Sequence, residues 1–379
     1  MYHHLLLRYD AAKCDVIKRI KLMNIEKSIE TILANTIDPM LGLSAIDLGL
    51  KPVIAVEGDH VSINLCAGFP SGFLQETLLP VLTSAITEAL PQYQISLGID
   101  HFIKAHRTQL AGKGLRGVKN TIAIASGKGG VGKSTVTINL AVALARAGAR
   151  VGILDADIYG PSIPLMLGET APVEVRDEHY LPVLAHGVHA MSIGYLTDGE
   201  PALIWRGPML AKSLLQMIDI TAWDELDYLF IDLPPGTGDI QLSLVQKIPL
   251  TGAIIVTTPQ NVATLDAEKA FKMFTKTNID VIGIVENMSL HVCSQCGHQE
   301  AIFNSGGAAQ LCTTYQCKLL GQLPLDRQVS SQSDEGIPLT ATGTNELSMT
   351  FIKTALQAAI ELSKRPLNYA DRFPNIVVE

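Results

Sequence analysis

The chain has few aromatic residues and no surplus of positive charge. Only 5% of its 379 residues are aromatic, and its formal net charge is -8. Nucleic-acid binding generally needs basic residues that neutralise phosphates, so this charge balance counts against a general nucleic-acid binder. No apolar run approaches the roughly 18 to 20 residues that span a bilayer, so we expect no membrane segment. The apolar core of residues 1–10 is too short for a signal peptide, and we expect a cytoplasmic protein.

Cysteine is also scarce, and six cysteines in 379 residues are too few for a disulfide scaffold. In a reducing cytoplasm, a close cysteine pair more often binds metal or carries out redox chemistry. Cys293 and Cys296 form the only C-x-x-C pair. Cys312 and Cys317 are separated by four residues and fall within an apparent helix and the following strand, so we expect core thiols there.

What the chain does contain is enough hydrophobic sequence, 47%, for two domains with separate cores. Three glycines and two positive charges break the hydrophobic periodicity over residues 112–117, which indicates a linker. We therefore predict a leader over 1–23, a small α+β domain over 24–106, a linker over 107–118, a large α/β domain over 119–365 and a tail over 366–379. The small domain is predicted to contain helix 25–34, strands 52–56 and 61–65, helix 73–90 and strand 94–97.

The most informative segment is a phosphate-binding loop. It comprises Gly127, Lys128, Gly129, Gly130, Val131, Gly132, Lys133, Ser134 and Thr135, between a predicted buried strand at 121–126 and a predicted helix at 134–147. Glycines let backbone N–H groups converge on phosphate oxygens, and the helix N-terminus adds its positive dipole end. We expect Lys133 to reach the β- and γ-phosphates of ATP and the Ser134 hydroxyl to bind Mg²⁺.

The large domain is predicted to be an α/β P-loop NTPase with a mainly parallel, doubly wound sheet. Short β-rich segments alternate with helical ones, and the strongest strands are predicted at 150–154, 226–231, 252–257 and 281–286. Ligands of such sheets bind beyond the carboxyl ends of the strands. The loops that follow these strands are therefore where we expect the chemistry.

Acidic residues follow two of these strands. We expect Asp232 to hold Mg²⁺ directly or through water, Asp155 to support that shell, and Asp157 to orient the attacking water. The alternative is that a strand-end aspartate merely caps a loop or helix. Gly236 and Gly238 give the loop after Asp232 the backbone freedom of a nucleotide-sensing switch.

Lys128 is one lysine more than an ordinary phosphate loop requires. With a lysine at this position, the loop resembles the deviant P-loop class, which includes the nitrogenase iron protein and the septum-site, partition, arsenite and tail-anchor ATPases. The resemblance implies a homodimer in which Lys128 reaches the partner's nucleotide and stabilises charge, much as an arginine finger does. It also implies that Asn287 contacts the adenine edge, although an asparagine in a turn can equally be structural.

The C-x-x-C pair leaves three chemical interpretations open. Structural zinc needs four ligands, which His291 and His298 would complete. A pair of chains would instead supply four cysteines, the ordinary complement of a [4Fe–4S] cluster. A redox disulfide is the third possibility.

Eight motifs together resemble the Mrp/ApbC family of iron–sulfur cluster carrier ATPases, and they lie at 126–135, 154–162, 191–194, 205–209, 227–239, 256–260, 286–289 and 293–296. The resemblance implies a dimeric ATPase that holds a labile [4Fe–4S] cluster on Cys293 and Cys296. Its implied partners are apo-proteins and a cluster-assembly scaffold. Residues 25–106 are similar to a small domain often fused ahead of this ATPase.

The chain departs from the family pattern at a few positions. In the small domain Met40 and Phe69 replace a usual glutamate and cysteine, with Cys66 three residues before Phe69, which puts a cysteine-based role there in doubt. Asn304 stands where the family generally has glycine, and we expect a tolerated turn change.

Two other functions are compatible with the same phosphate-binding loop. A partition or septum-type positioning ATPase generally needs an amphipathic or basic surface, and the tail at 366–379 has two prolines and no basic face. A zinc-stabilised, nucleotide-dependent scaffold is the second alternative. For the carrier we expect ATP to close the dimer through Lys128, which changes the distance between the two C-x-x-C loops.

Overall fold

The computed structural model describes residues 22–158, 160–196, 207–293 and 295–368, with the backbone alone for 207–211. The predicted leader through residue 21, the tail from residue 369 and the motif positions 159, 205, 206 and 294 lie outside the described residues. Residues 22 and 23, which the sequence assigned to the leader, are helical. The chain divides into two compact units, Met1–Phe102 and Ile103–Glu379.

The smaller unit combines two helices with a three-stranded sheet in the order β1-β2-β3. Its elements are α1 (22–35), β1 (Lys51–Glu57), β2 (His60–Ala67), α2 (Gly72–Ala89) and β3 (Gln94–His101). β1 and β2 pair antiparallel, whereas β2 and β3 are parallel. Helix α2 buries Leu74, Leu78, Leu82 and Ile86, which are spaced by four residues and form one apolar face. Each predicted element of this domain is present.

The larger unit alternates strands and helices. Its strands are β4 (Val118–Ala125), β5 (Val151–Asp155), β6 (Glu174–Arg176), β7 (His179–Leu181), β8 (Val183–Ala185), β9 (Val188–Ser192), β10 (Leu226–Asp232), β11 (Gly252–Thr257), β12 (Val281–Glu286), β13 (His291–Val292), β14 (Gln299–Glu300) and β15 (Lys318–Gln322). Its helices are α3 (Lys133–Arg146), α4 (Ile163–Met166), α5 (Gly207–Ile220), α6 (Asp239–Lys247), α7 (Asn261–Lys276), α8 (Gly307–Tyr315), α9 (Arg327–Asp334), α10 (Leu339–Thr342) and α11 (Glu346–Ser363), with a short 3₁₀ turn at Ile193–Tyr195.

The main sheet has eight strands in the order β15-β12-β11-β4-β10-β5-β9-β8. Neighbouring strands pair parallel from β15 to β9, and β8 pairs antiparallel with β9. Helices α3, α10 and α11 pack together, and α3 and α11 contact strands of the sheet. Helices α5 to α8 contribute to a separate apolar cluster, whose side chains include Leu229 and Ile231 of β10 together with Leu214, Leu244 and Phe274. The predicted α/β fold with a doubly wound, mainly parallel sheet is confirmed.

The central strands are apolar because helices cover both of their faces. All seven residues of β10 and all six of β11 are buried, so both strands are mostly apolar and lack the polar–apolar alternation of a half-exposed strand. β4 lies between them. The next strands of this sheet along the chain, β5, β8 and β9, lie on the β10 side of β4, whereas β11, β12 and β15 lie on its other side. The strand ends around β4 therefore form the crevice where a ligand binds in such folds.

The segment between the two predicted domains belongs to the larger unit. His106 forms a β-bridge with Leu367, and the Asn368 amide donates to the Ala105 carbonyl at 2.9 Å. The Gln109 side chain donates to the carbonyls of Val245 and Ile248 at 2.9 and 2.7 Å. Residues 103–109, assigned by the sequence to the end of the small domain and to a linker, thus pack on the larger unit. No helix in the described ranges is long and apolar enough to cross a membrane.

Candidate functional site

The phosphate-binding loop connects the end of β4 to the start of α3. Six of the eight β4 residues are buried, and α3 buries ten of its fourteen, so both flanks of the loop are held by the core. Gly130 and Gly132 have φ angles of +79° and +78°, which side-chain-bearing residues adopt at a cost. The backbone N–H groups of the loop are presented at the N-terminus of a fourteen-residue helix.

Two loop glycines are required by close approaches. A Cβ at Gly127 would lie 2.2 Å from the backbone of Asp266 in α7, and a Cβ at Gly132 would lie 2.3 Å from Asn287 Nδ2. No heavy atom lies within 4 Å of the corresponding Cβ position at Gly130. The loop is therefore packed against α7 and the end of β12 on one side and open at Gly130.

Asp232 is the centre of the polar cluster below this loop. Its carboxylate is fully buried, and its Oδ2 atom accepts hydrogen bonds from Lys133 Nζ and Ser134 Oγ, each at 2.6 Å. Its Oδ1 atom lies 2.6 Å from the Thr137 hydroxyl. Lys133 is itself buried, with 6% of its surface exposed, so this ion pair is shielded from solvent.

Asp155 lies beside Asp232, because the two residues are register partners at the ends of β5 and β10. Burial, with a further contribution from the Asp232 charge, raises the pKa of Asp155 from its ordinary value of 3.8 to about 7. The Asp155 carboxyl accepts hydrogen bonds from the Asp157 amide at 3.1 Å, the Ile163 amide at 3.3 Å and the Ser192 hydroxyl at 3.0 Å. Asp157 is half-buried on the loop that follows β5.

The oxygen donors of this cluster fit Mg²⁺. The Ser134 hydroxyl and the Asp232 carboxylate already meet, with the Asp155 carboxyl on the neighbouring strand. In the described part of the chain, no three His, Cys, Asp or Glu side chains come close enough to hold a metal ion together. Mg²⁺ usually takes one or two carboxylates and completes its shell with waters and substrate phosphates, so a small donor set beside a phosphate loop suits it.

The loop between β10 and α6 contains the two predicted switch glycines. The Gly236 amide donates to the Ser126 carbonyl at 2.9 Å, and Gly236 has a φ of +100°. The Gln241 side chain accepts from the Gly238 amide at 2.6 Å and donates to the Pro234 carbonyl at 2.7 Å. Gln241 is buried and fastens this loop to the first turn of α6.

Asn287 connects the end of β12 to the phosphate loop. Its side-chain amide is buried and donates to the Val131 carbonyl at 2.9 Å. The residue before it, Glu286, is also buried and accepts from the Ala308 amide at 3.0 Å and from Gln322 Nε2 at 2.7 Å. Contact of Asn287 with adenine stays a prediction, and its amide has a structural partner in the loop.

The C-x-x-C pair lies on a hairpin that begins four residues after Asn287. β13 and β14 pair antiparallel, and the Cys293 amide donates to the His298 carbonyl at 2.9 Å. The Gly297 amide donates to the Cys293 carbonyl at 2.9 Å, and Gly297 has a φ of +71°. This tight turn brings both cysteines to its tip, where Cys293 is half-buried and Cys296 is exposed.

The turn also favours the thiolate of Cys293. Hydrogen bonds from the backbone amides of Cys296 and Gln295, followed by the Cys296 side chain, lower the pKa of Cys293. The thiolate is the form that binds metal. His291 Nδ1 lies 3.1 Å from the Leu325 carbonyl, and His298 is exposed. Among the described residues the pair has no third or fourth ligand close by, so the zinc set proposed from His291 and His298 is not assembled in one chain.

The structure thus brings the predicted nucleotide residues together at one edge of the sheet. Lys128 is half-buried at the loop, and its carbonyl accepts from the Ser126 hydroxyl at 2.9 Å. Thr135 is half-buried in the first turn of α3, where its carbonyl accepts from Asn139 Nδ2. Asn304 has a φ of +82°, a left-handed conformation that asparagine tolerates, as expected. The sequence analysis missed three polar residues that hold the site, Thr137, Ser192 and Gln241.

Comparisons with known proteins agree with this geometry. The family model described as ParA, NUBPL iron-transfer P-loop NTPase, matches residues 117–360. The chain is 45% identical over 340 residues to the iron–sulfur cluster carrier protein of Haemophilus influenzae, covering 89% of this chain and 92% of that protein. It is 46% identical over 308 residues to the iron–sulfur cluster carrier protein of Escherichia coli strain K12, covering 81% and 84%.

Among solved structures, the chain is similar to a nucleotide-binding protein from Archaeoglobus fulgidus in complex with ADP. The two share 42% identity with a TM-score of 0.52, over 59% of this chain and 88% of that one. The expected resemblance to the Mrp/ApbC family is therefore confirmed. The chain belongs to the ParA and NUBPL family of iron-transfer P-loop NTPases.

Proposed function

We propose that this protein is an ATP-dependent carrier of iron–sulfur clusters. Two copies hold one [4Fe–4S] cluster as cargo on Cys293 and Cys296 of each chain and transfer it to apo-proteins. A cluster-assembly scaffold supplies the cargo. The names of the relatives support the class of cargo, and the family match supports the nucleotide chemistry.

One observation carries this proposal: the thiol pair and the nucleotide loop are joined through the end of a single strand. Asn287 directly follows β12 and donates to Val131 in the phosphate loop. Six residues after Asn287, Cys293 lies in the hairpin that continues from the same strand end. A displacement of the phosphate loop by nucleotide is therefore transmitted through a short connection to the cluster ligands.

For hydrolysis the residues divide into binding and positioning roles. Lys133 and the loop amides neutralise the phosphates, and phosphate oxygens compete with Asp232 for the Lys133 ammonium. Ser134, Asp232 and Asp155 would hold Mg²⁺, which when bound neutralises charge that develops on the phosphates. Asp157 orients the attacking water, since such reactions depend on positioning rather than on covalent chemistry by the protein.

Lys128 acts across the dimer in this proposal. It lies at the mouth of the loop, half-exposed, close to the open face at Gly130. A lysine so placed in one chain reaches the nucleotide of the partner when ATP brings the copies together, and adds positive charge to the transition state. Closure also changes the distance between the two hairpins, so cluster affinity depends on the nucleotide state.

The cysteine chemistry suits a cluster that must be released. Each chain offers two thiols at an accessible hairpin tip, and the lowered pKa of Cys293 favours its thiolate. Four thiolates are the ordinary ligand set of a [4Fe–4S] cluster, and two chains provide them. A cluster shared between chains at an exposed position is open to attack by the thiols of an acceptor protein.

The proposal is tested by anaerobic reconstitution with ferrous iron and sulfide, followed by iron analysis and visible absorption. We expect the wild-type protein to bind four irons per two chains and to be brown. The Cys293→Ala/Cys296→Ala variant is expected to lose this iron. The matched control is Cys312→Ala/Cys317→Ala, which removes the other close pair of thiols and is expected to keep the iron.

The nucleotide part has a separate readout. Cluster transfer from the loaded protein to an apo-ferredoxin is expected to respond to ATP in the wild type and not in Lys133→Ala. The carrier function would be contradicted if the Cys293→Ala/Cys296→Ala variant retained all of its iron. It would also be contradicted if cluster transfer were the same with and without ATP and the same in Lys133→Ala as in the wild type. Zinc that resists replacement by iron would favour the scaffold alternative.

A further inference from the structure

A second thiol pair lies outside the site described above, at the end of α8. Cys312 is in α8, as predicted. Cys317 was predicted to lie in the following strand, but it directly precedes β15. Gln316 takes a left-handed φ of +51°, and the Cys317 amide donates to the Cys312 carbonyl at 3.0 Å. This helix termination turns the chain back on itself and brings the two side chains together.

The two thiols differ in accessibility and in acidity. Cys312 is buried, with 7% of its surface exposed, whereas Cys317 is half-buried. A hydrogen bond between the two side chains, together with burial, raises the pKa of Cys312, and the same hydrogen bond lowers the pKa of Cys317. Cys317 is thus the accessible nucleophile, and Cys312 is the protected thiol beside it.

Helix ends of this type often have an apolar contact between these two positions, and any two hydrophobic residues can make it. Two thiols in contact have an additional property, because one can displace a leaving group from the other. The turn at Gln316 already holds them together in the folded chain. The two thiols therefore pack against each other and are also preorganised to form a disulfide.

We propose that Cys312 and Cys317 form a site of reversible oxidation, in which a small-molecule disulfide converts the pair into an intrachain disulfide. The Cys317 thiolate attacks one sulfur of the oxidant, forms a mixed disulfide and releases one thiolate. Cys312 then loses its proton and attacks the Cys317 sulfur, forming the Cys312–Cys317 bond and releasing the second thiolate. The two cysteines lose two electrons, and the oxidant becomes two thiols.

This site is independent of the carrier function. The cluster ligands lie on the β13–β14 hairpin, whereas this pair lies between α8 and β15. In a variant that lacks Cys293 and Cys296, oxidation of Cys312 and Cys317 is expected to proceed as in the wild type. Failure of the carrier proposal and failure of this one are thus distinguishable.

The test uses the full-length Cys293→Ala/Cys296→Ala protein, incubated anaerobically with glutathione disulfide. Trypsin cannot separate the pair, because no Lys or Arg lies between Cys312 and Cys317, but chymotrypsin cleaves after Tyr315 between them. We expect the folded protein to lose two hydrogens in its intact mass. The fragments on either side of Tyr315 are expected to stay linked until a reductant is added.

Single substitutions in the same background assign the order of attack. With Cys312→Ala, Cys317 is expected to remain as a mixed disulfide with glutathione. With Cys317→Ala, Cys312 is expected to stay unmodified in the folded chain. The proposal is overturned if both cysteines of the folded parent stay reduced at a glutathione disulfide concentration that modifies the urea-unfolded chain. It is also overturned if Cys317 is unreactive in Cys312→Ala.

Discussion

The Thr137 hydroxyl lies 2.6 Å from Asp232 Oδ1, on the opposite side of the carboxylate from Lys133 and Ser134. Thr137 is fully buried in α3, one helical turn after Lys133, and its hydroxyl is also 3.0 Å from the Lys133 carbonyl. Hydrogen bonds to both oxygens fix the rotation of the Asp232 carboxylate. Thr137 therefore positions the carboxylate that we propose as a ligand of Mg²⁺.

Replacing Thr137 by valine keeps the shape of the side chain and removes this hydrogen bond. Because a hydrogen bond to a charged group contributes about 1.5 to 3 kcal/mol, we expect the Mg²⁺ concentration for half-maximal ATP hydrolysis to rise roughly tenfold or more. Thr137→Ser keeps the hydroxyl and is expected to restore most of the Mg²⁺ affinity. Equal Mg²⁺ dependence of the wild type and Thr137→Val would show that the contact is only structural.

The raised pKa of Asp155 makes stability depend on pH. Its pKa is 3.8 ordinarily and about 7 in the fold, so between these values the folded chain retains a proton that the unfolded chain releases. The stability that the protonated carboxyl contributes is fully present below about pH 4 and is lost as pH rises through about 7. This difference corresponds to a loss of about 4 kcal/mol in the free energy of unfolding.

The measurement is chemical denaturation from pH 4 to 8 without Mg²⁺ or nucleotide, for the wild type and Asp155→Asn. We expect the stability difference between the two proteins to move in favour of the variant as pH rises. The variant replaces one of the two acceptor oxygens by an NH₂ group, so it loses the hydrogen bond from Asp157 or those from Ile163 and Ser192 at every pH. A difference that stays constant over this range would contradict the raised pKa.

Two glycines of the phosphate loop provide a matched pair for substitution. Gly130 and Gly132 have nearly equal φ angles, but only a Cβ at Gly132 meets Asn287. We expect Gly130→Ala to cost about 1 to 2 kcal/mol from its left-handed backbone. Gly132→Ala is expected to cost about 1 to 3 kcal/mol more because of the clash.

The clash can be isolated with Asn287→Ala, which removes the side chain that Gly132→Ala would strike. Thermal denaturation of the single variants and the double variant gives their interaction energy. We expect the double variant to be more stable than the sum of its parts indicates. Strict additivity would mean that Asn287 does not press against the loop.

Gln241 fastens the predicted switch loop to α6. Gln241→Ala removes the acceptor of the Gly238 amide and the donor to the Pro234 carbonyl. We expect faster hydrogen exchange at the amides of residues 236–238, measured by mass spectrometry, because the Gly238 amide loses its acceptor and the loop loses its attachment to α6. Gln310→Ala, at an exposed glutamine of α8, is the control. Unchanged exchange in Gln241→Ala would mean that the Ser126 contact alone holds the loop.

The apolar strands and the glycine loop were predictable because each carries a local pattern. The predicted strands at 226–231 and 252–257 match β10 and β11 closely, because strands covered on both faces have a mostly apolar sequence that is easy to recognise. Asp232 was predictable from its place at a strand end. The Gln241 contact has a recognisable signal, a glycine followed three residues later by glutamine at a helix start.

Other features have no local signal. Ser192 contacts Asp155 only because β9 pairs with β5, and the pairing of residues 366–368 with 105–107 joins segments far apart in sequence. Thr137 had a weak signal, as a polar residue on a helix that is otherwise largely Ala, Val and Leu and is buried on most sides. A buried hydroxyl needs a partner, but its identity depends on the sheet order.

Native mass spectrometry of the protein reconstituted anaerobically with iron and sulfide shows whether two chains share one cluster. We expect the mass of a [4Fe–4S] cluster on dimers and not on monomers. Cys293→Ala/Cys296→Ala is predicted to carry no cluster in either form. A complete cluster on single chains, or on dimers of the double variant, would show that the cluster is not shared through Cys293 and Cys296.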